Sequence, residues 1–242
     1  MFDIDKSLEA VILAGGKGTR LRPYTTAFPK PLVPVGDRPI LGIVVDQLRE
    51  AGVKKITITV NHLAEIIMAF FGNGERFGVD IAYSLEEKPL GTVAPVKLIK
   101  GLPDHFLVMN GDLLTDIDYR KLCESHIASG AKLTVATYQR DARIDFGVLE
   151  FDESTNRVVS FREKPTYHFS VSTGVYVYSR SLLERVPDNE PYGFDNLVLD
   201  MLRDGDPINV CPHDGYWLDI GRPDDYEQAN QDVDKLLNSQ GS

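Results

Sequence analysis

An apolar run over residues 8–13 breaks into Gly15-Gly16-Lys17-Gly18-Thr19-Arg20. Two more cations follow, Arg22 and then Lys30 between two prolines. Glycines let main-chain N–H groups approach a polyphosphate closely, and fixed cations neutralise it. A strand delivering such a turn predicts a nucleoside triphosphate site. Two common phosphate loops are excluded. A P-loop needs Gly, four residues, then Gly-Lys-Ser/Thr, and no such run exists. The dinucleotide fingerprint, started at Gly16, meets Leu21 where its third glycine belongs.

Carboxylates supply the second half of the chemistry. Met109-Asn110-Gly111-Asp112 follows an apolar strand pattern, and Trp217-Leu218-Asp219-Ile220-Gly221 repeats that short form before a helix start. In an open α/β sheet, ligands bind beyond the carboxyl ends of the strands, which aims Asp112 at the site. Asp112, Asp219 and a triphosphate together suit Mg²⁺, whose octahedron takes hard oxygens from few protein groups, phosphates and water. Taken alone, each has a structural reading too: Asp112 as a turn residue, Asp219 as a helix cap. Asp116-Ile117-Asp118 has the Asp-x-Asp form of a metal-dependent glycosyltransferase, but Asp118 reads as the N-cap of a helix over residues 119–129. The five histidines are scattered in sequence, with no nucleophile–base pattern around them.

The run from Leu13-Ala14-Gly15-Gly16 through Gly18-Thr19-Arg20-Leu21 to Pro29-Lys30-Pro31-Leu32 resembles the signature of the sugar-1-phosphate nucleotidyltransferases. That resemblance covers roughly residues 8–230. It implies a Rossmann-like three-layer sandwich with a mostly parallel central sheet and a smaller β-rich sugar-binding extension. It also implies one catalytic domain over residues 1–242, with a nucleotide half (1–130), a sugar half (131–242) and no C-terminal β-helix. Arg20, Lys30 and Lys164 become the catalytic cations, and Asp112 and Asp219 the Mg²⁺ ligands. The nucleotide falls to Leu13, Ala14, Gly15, Gly16, Gly18 and Thr19, with Glu86, Pro89, Gly91 and Thr92 at the base. Asn110, Gly147, Glu163, Thr173 and Gly174 meet the sugar phosphate. The nearest likeness within the family is to short bacterial mannose- and manno-heptose-1-phosphate guanylyltransferases.

The implied reaction condenses a nucleoside triphosphate with a sugar 1-phosphate and releases pyrophosphate. Guanine offers two adjacent donors that one carboxylate accepts, so Glu86 favours GTP, with a mannose-type sugar. Uridylyl or thymidylyl transfer to glucose-1-phosphate or an amino-sugar 1-phosphate is the alternative. An inactive nucleotide-sugar sensor is the reading from another class, but such relatives tend to lose the metal and phosphate ligands that this chain keeps. Family members often form dimers or tetramers.

The bulk properties agree. The 242 residues are 26% charged and 43% hydrophobic, an ordinary globular composition. A net charge of −10 argues against nucleic-acid binding. Cys123 and Cys211 form no Cys-x-x-Cys pair and read as free thiols. No leader pattern marks residues 1–9, and no apolar stretch approaches the roughly 20 residues that span a bilayer. The expected location is the cytoplasm.

Alternating strand and helix patterns must position these groups. Strands are predicted at 8–13, 55–60, 79–85 and 105–109, with helices at 39–51, 62–71 and 92–100 between them, which implies βαβ units. Beyond residue 130 the pattern turns β-rich, with strands at 131–138, 147–151, 158–161 and 171–178. Helices follow at 197–202 and 224–237, the last with an apolar face of Tyr226, Ala229, Val233 and Leu236. Residues 238–242 read as a polar, disordered tail.

Overall fold

The structure, a computed structural model, describes residues 8–239, with side chains through residue 234. Residues 1–7 and 240–242 and the Leu236 side chain lie outside this description. Of the expected tail, residues 238 and 239 continue the last helix.

Seven strands form the central sheet, in the order β12-β8-β11-β6-β1-β4-β5. They are β1 (Glu9–Leu13), β4 (Lys55–Val60), β5 (Asp80–Leu85), β6 (His105–Asn110), β8 (Leu133–Arg143), β11 (Thr166–Ser179) and β12 (Ile208–His213). All run parallel except β11, which is antiparallel to both neighbours, β6 and β8. Three two-stranded pieces flank it: β2 (Pro34–Val35) with β3 (Arg38–Pro39), β7 (Leu113–Thr115) with β13 (Trp217–Asp219), and β9 (Val148–Asp152) with β10 (Arg157–Arg162).

Strand alternation creates the layers. On β1, Ala10 and Ile12 face one cluster and Val11 the other; on β6, Leu107 and Met109 oppose Phe106 and Val108. The first face packs against α1 (Ile40–Glu50), α2 (Ala64–Phe71) and α4 (Tyr119–Ser129) through Leu41, Val44, Leu48, Ile67, Phe71 and Leu122. The second packs against α3 (Ala94–Lys97) and α5 (Phe194–Asp204) through Val96, Leu197 and Met201. A third cluster lies beneath α6 (Pro223–Ser239), where Ala229 and Val233 meet Leu21, Val35, Ile43, Leu114 and Ile220. It joins the glycine-rich loop to the turn after Asp219. The chain is a three-layer Rossmann-like sandwich.

Several elements differ from their predicted extents. The helix expected at 92–100 is the single turn α3: Val93 and Ala94 N–H both reach the Tyr192 carbonyl at its start, at 3.1 Å each, and beyond it Leu98 and Ile99 N–H turn to the 3₁₀ pattern, reaching Pro95 O and Val96 O at 3.2 Å each. β8 and β11 run far beyond their buried cores, pairing from Thr166↔Arg143 to Ser172↔Thr137 as an exposed arm. With the β9–β10 hairpin this arm is the β-rich extension. β12 was not anticipated because Pro212 interrupts it, yet an edge strand tolerates a missing N–H. The predicted cap holds: Asp118 Oδ1 accepts from Lys121 N–H at 3.0 Å. Both cysteines are free thiols, and burial pushes Cys123 up to about 12.

Candidate active site

Parallel strands bring their carboxyl ends to one side, and a cleft of about 370 Å³ opens there. Leu13, Ala14, Gly15 and Gly16 line it from β1, and Lys30 from the turn that follows. Asn110 and Asp112 enter from β6, and Glu86, Pro89, Gly91 and Thr92 from the segment after β5. The bonds Ala14 N–H to Thr59 O and Gly111 N–H to Leu13 O, both 3.0 Å, carry the sheet one step past the strands and set the cleft floor.

Glu86 is buried at 7% exposure, and burial raises its carboxyl above the usual range. Leu90 N–H donates to Oε2 at 3.4 Å, and Asn61 Nδ2 donates to the Glu86 carbonyl at 2.8 Å. A Cβ placed on Gly15 would stand 2.7 Å from Glu86 Oε1, so only glycine lets this carboxylate lie against the loop.

The charged residues converge at the other end. Lys30 is buried and its ammonium is ion-paired to Asp112 Oδ2. β13 pairs antiparallel with β7, setting Asp219 opposite Leu113, and Ile220 N–H donates to the Asp112 carbonyl at 3.1 Å. These main-chain bonds make the two carboxylates neighbours although 107 positions separate them. Burial and then the Asp112 charge push Asp219 above the usual carboxylate range, while Lys30 and Arg20 pull it back. Three charged groups surround Gly221: a Cβ there would lie 3.6 Å from Asp219 Oδ2 and Asp225 Oδ2 and 3.7 Å from Arg20 Cζ. Arg20 itself is exposed, as is Thr19, beside Gly18 at the start of the loop's 3₁₀ turn.

The residues expected at the sugar phosphate fall into two groups. Gly174 packs on Asn110, and Thr173 sits between them and β13. The Thr173 hydroxyl donates to Ala136 O at 2.9 Å, and its carbonyl accepts from Trp217 Nε1 at 2.8 Å. Thr173 is buried at 1% exposure, with its hydroxyl committed to the sheet. Gly147 and Glu163 lie together at the base of the β9–β10 hairpin, beside Phe161. They and the exposed Lys164 stand on the extension and not in the cleft lining. Lys164 has φ of 44°, a left-handed conformation that a lysine seldom adopts and that tends to mark functional loops.

Gly174 is held at φ of 79°, and a Cβ there would come within 2.6 Å of Asn110 Nδ2. Gly174→Ala is therefore expected to cost about 2 kcal/mol of stability and to displace Asn110. Urea unfolding and sugar-phosphate KM would show both effects.

Other residues were not legible as parts of the site. In sequence, Asp225 is an acidic residue in the first turn of a helix, a place that favours negative charge in any helix. In the structure its Oδ2 accepts from Gly221 N–H at 3.2 Å and Arg222 N–H at 2.8 Å, fixing the turn that carries Asp219. Trp217 anchors Thr173, as described. Asp116 is committed elsewhere, accepting from Tyr216 N–H at 2.6 Å and pairing with His213 at 3.0 Å, which removes the Asp-x-Asp reading.

Two close carboxylates with hard oxygens suit a divalent cation. Among the described residues no cluster of three or more His, Cys, Asp or Glu could cage a metal. A site of two carboxylates needs the ligand's oxygens to complete it, which is the way Mg²⁺ binds with phosphates.

An α/β sheet with a glycine-rich, cationic turn and paired carboxylates at its carboxyl edge defines a nucleotide-binding domain built for phosphate chemistry. Residues 9–235 match the nucleotidyl transferase family model, and the chain belongs to that family. It is 34% identical over 246 residues to the UTP–glucose-1-phosphate uridylyltransferase of Synechocystis, spanning 93% of this chain and 63% of that protein. It is 33% identical to the mannose-1-phosphate guanyltransferase of Debaryomyces hansenii, spanning 90% of this chain and 62% of that protein. The chain thus spans under two thirds of the length of these curated relatives. The crystal structure of HddC from Yersinia pseudotuberculosis superposes with a TM-score of 0.74 at 28% identity, covering 93% of this chain and 99% of that one. The same protein complexed with GMP-PN gives 0.71.

Proposed function

We propose that the protein is a sugar-1-phosphate nucleotidyltransferase that uses GTP and a mannose-type or heptose 1-phosphate. The observation that carries this reading is the meeting of Lys30, Asp112, Asp219 and Arg20 beside a cleft whose far end holds the buried Glu86.

The sugar phosphate is already an anion, so no protein nucleophile is required. Its oxygen attacks the α-phosphorus in line, and pyrophosphate leaves. Two anions must be brought together, so positioning and charge neutralisation are the protein's task. Arg20 holds the β- and γ-phosphates and steadies the leaving pyrophosphate. Lys30 moves to the α-phosphate, and Lys164 meets the attacking phosphate from the hairpin. Asp112 and Asp219 would hold Mg²⁺, which when bound neutralises charge on the phosphates. Asn110, Gly174, the Thr173 main chain, Gly147 and Glu163 orient the sugar.

The Glu86 carboxylate accepts from guanine N1–H and N2–H, and the likeness to guanylyltransferases and to a protein crystallised with GMP-PN supports this base. The named relatives also include a uridylyltransferase, so the base is tested directly. Pyrophosphate release is measured with Mg²⁺ for GTP, UTP, dTTP, CTP and ATP against mannose-, heptose-, glucose- and N-acetylglucosamine-1-phosphates. GTP is expected to lead, and Glu86→Gln to narrow its lead over UTP by about tenfold, roughly one hydrogen bond to a charged group. A lead for UTP or dTTP overturns the base; nucleotide binding without release from any pair favours the sensor.

The same reading places the enzyme in the cytoplasm, a location that two unpaired thiols suit. Among the described residues no helix is long and apolar enough to cross a membrane. It also includes a homodimer or tetramer, for which the exposed Phe151, Val159 and Phe161 of the hairpin offer apolar surface.

A further inference from the structure

We infer that Lys30 masks the metal-binding carboxylate Asp112 in the nucleotide-free protein, so that the nucleotide must draw Lys30 away before a divalent cation binds tightly. This rests on the reading of Asp112 and Asp219 as metal ligands.

The Lys30 ammonium sits on Asp112 Oδ2, one of the two oxygens this carboxylate has for a cation. The Lys30 side chain is 9% exposed and that of Asp112 24%, so water screens the contact little. The lysine is also built into its place. It lies in a 3₁₀ turn, Lys30–Leu32, between Pro29 and Pro31, and Val33 N–H closes the turn on the Lys30 carbonyl at 3.0 Å. A Cβ on Gly18 would come within 2.9 Å of Lys30 Cβ, so the glycine-rich loop packs on its stem. A tethered ammonium competes at high effective concentration with any free ion.

The charge balance points the same way. The carboxylates of Asp112 and Asp219 face two fixed cations, Lys30 and Arg20. A third carboxylate, Asp225, is engaged with the Gly221 and Arg222 N–H groups. A divalent ion therefore meets carboxylates that already have cations beside them. A triphosphate reverses this. Its oxygens outcompete one carboxylate for Lys30 and Arg20, and each cation that shifts leaves a carboxylate oxygen free. Nucleotide and metal then bind with positive coupling. The arrangement also keeps the cation from binding where no phosphate awaits it.

The test is a Mn²⁺ titration of nucleotide-free protein, with free Mn²⁺ read by electron paramagnetic resonance. Mn²⁺ accepts the same oxygen ligands as Mg²⁺. Lys30→Met is expected to bind Mn²⁺ at least about tenfold more tightly than wild type, within the usual range of coupling. Lys30→Arg should stay near wild type, and Lys30→Met/Asp112→Asn should lose the gain. Lys30→Gln, which keeps an amide donor to Asp112, is the second variant should Lys30→Met fold poorly, with a smaller gain expected. Equal Mn²⁺ affinity in wild type and the neutral variants overturns the masking. The underlying metal reading fails separately, if Asp112→Asn leaves Mn²⁺ binding unchanged when GTP is present.

Discussion

Asp112→Asn and Asp219→Asn are each expected to lower kcat/KM for pyrophosphate release by about 10²–10³-fold, the usual loss when one preorganised charge is removed from a transition state. The two should differ in stability. The Asp219 carboxyl is held above the usual range by burial and by Asp112, so its ionised form opposes folding at neutral pH. Its asparagine variant removes that repulsion, and the melting temperature should hold or rise while activity collapses. Asp112→Asn leaves the buried Lys30 without a charged partner and should destabilise by about 1–3 kcal/mol. The double variant should be little slower than either single one, because groups that act as a unit are lost together. Steady-state kinetics and thermal melts on the same preparations check both halves. If activity and stability fall in parallel for Asp219→Asn, the residue is structural. The contrast is the usual signature of like charges crowded for function at a cost in stability.

Half of this site could be seen in the sequence because half of it is local. The glycine-rich turn, its cations and Lys30 lie within twenty residues, and the strand before them is apolar from Ala10 to Leu13. The parallel core was legible for the same reason: β6 carries a continuous apolar run that only a doubly covered sheet can bury, and β4 alternates Ile56, Ile58 and Val60 as a strand does. What joins Asp112 to Asp219 was not. β7 and β13 have three residues each, too few to show a period, and their pairing connects distant parts of the chain. The short form repeated around the two aspartates, and the resemblance, suggested the pair without showing what joins it. The role of Asp225 was hidden because an acidic residue in a first helical turn suits any helix. Thr173 matched a motif by name, while its hydroxyl turned out to serve the sheet.

The histidines show the same limit, because two of the five, scattered in sequence, meet in space. His126 Nε2 lies 3.1 Å from both His105 Nδ1 and Ser179 Oγ, and its Nδ1 lies 2.8 Å from Thr134 Oγ1. The cluster joins α4 to β6, β8 and β11, away from the cleft. His126 is 1% exposed, and burial, then the neighbouring His105, lower its pKa to about 4. His105 is lowered too, by burial, with Asp104 opposing. The unfolded chain takes up the His126 proton near pH 6.5, whereas the folded protein refuses it until about pH 4. Stability from this residue is therefore complete above pH 6.5, falls as the pH drops from 6.5 to 4, and levels off below. The loss is expected to reach about 3 kcal/mol, from 1.36 kcal/mol per unit. Carboxylate protonation also weakens proteins in acid, so the measurement is a difference. Urea unfolding of wild type and His126→Gln is followed from pH 7.5 to 4. The glutamine keeps polar partners for Thr134 and Ser179 but binds no proton, so its curve should lack the wild-type decline between pH 6.5 and 5, above the carboxylate range. Parallel curves would mean that His126 accepts its proton inside the fold, with Ser179 and Thr134 rearranged to take it.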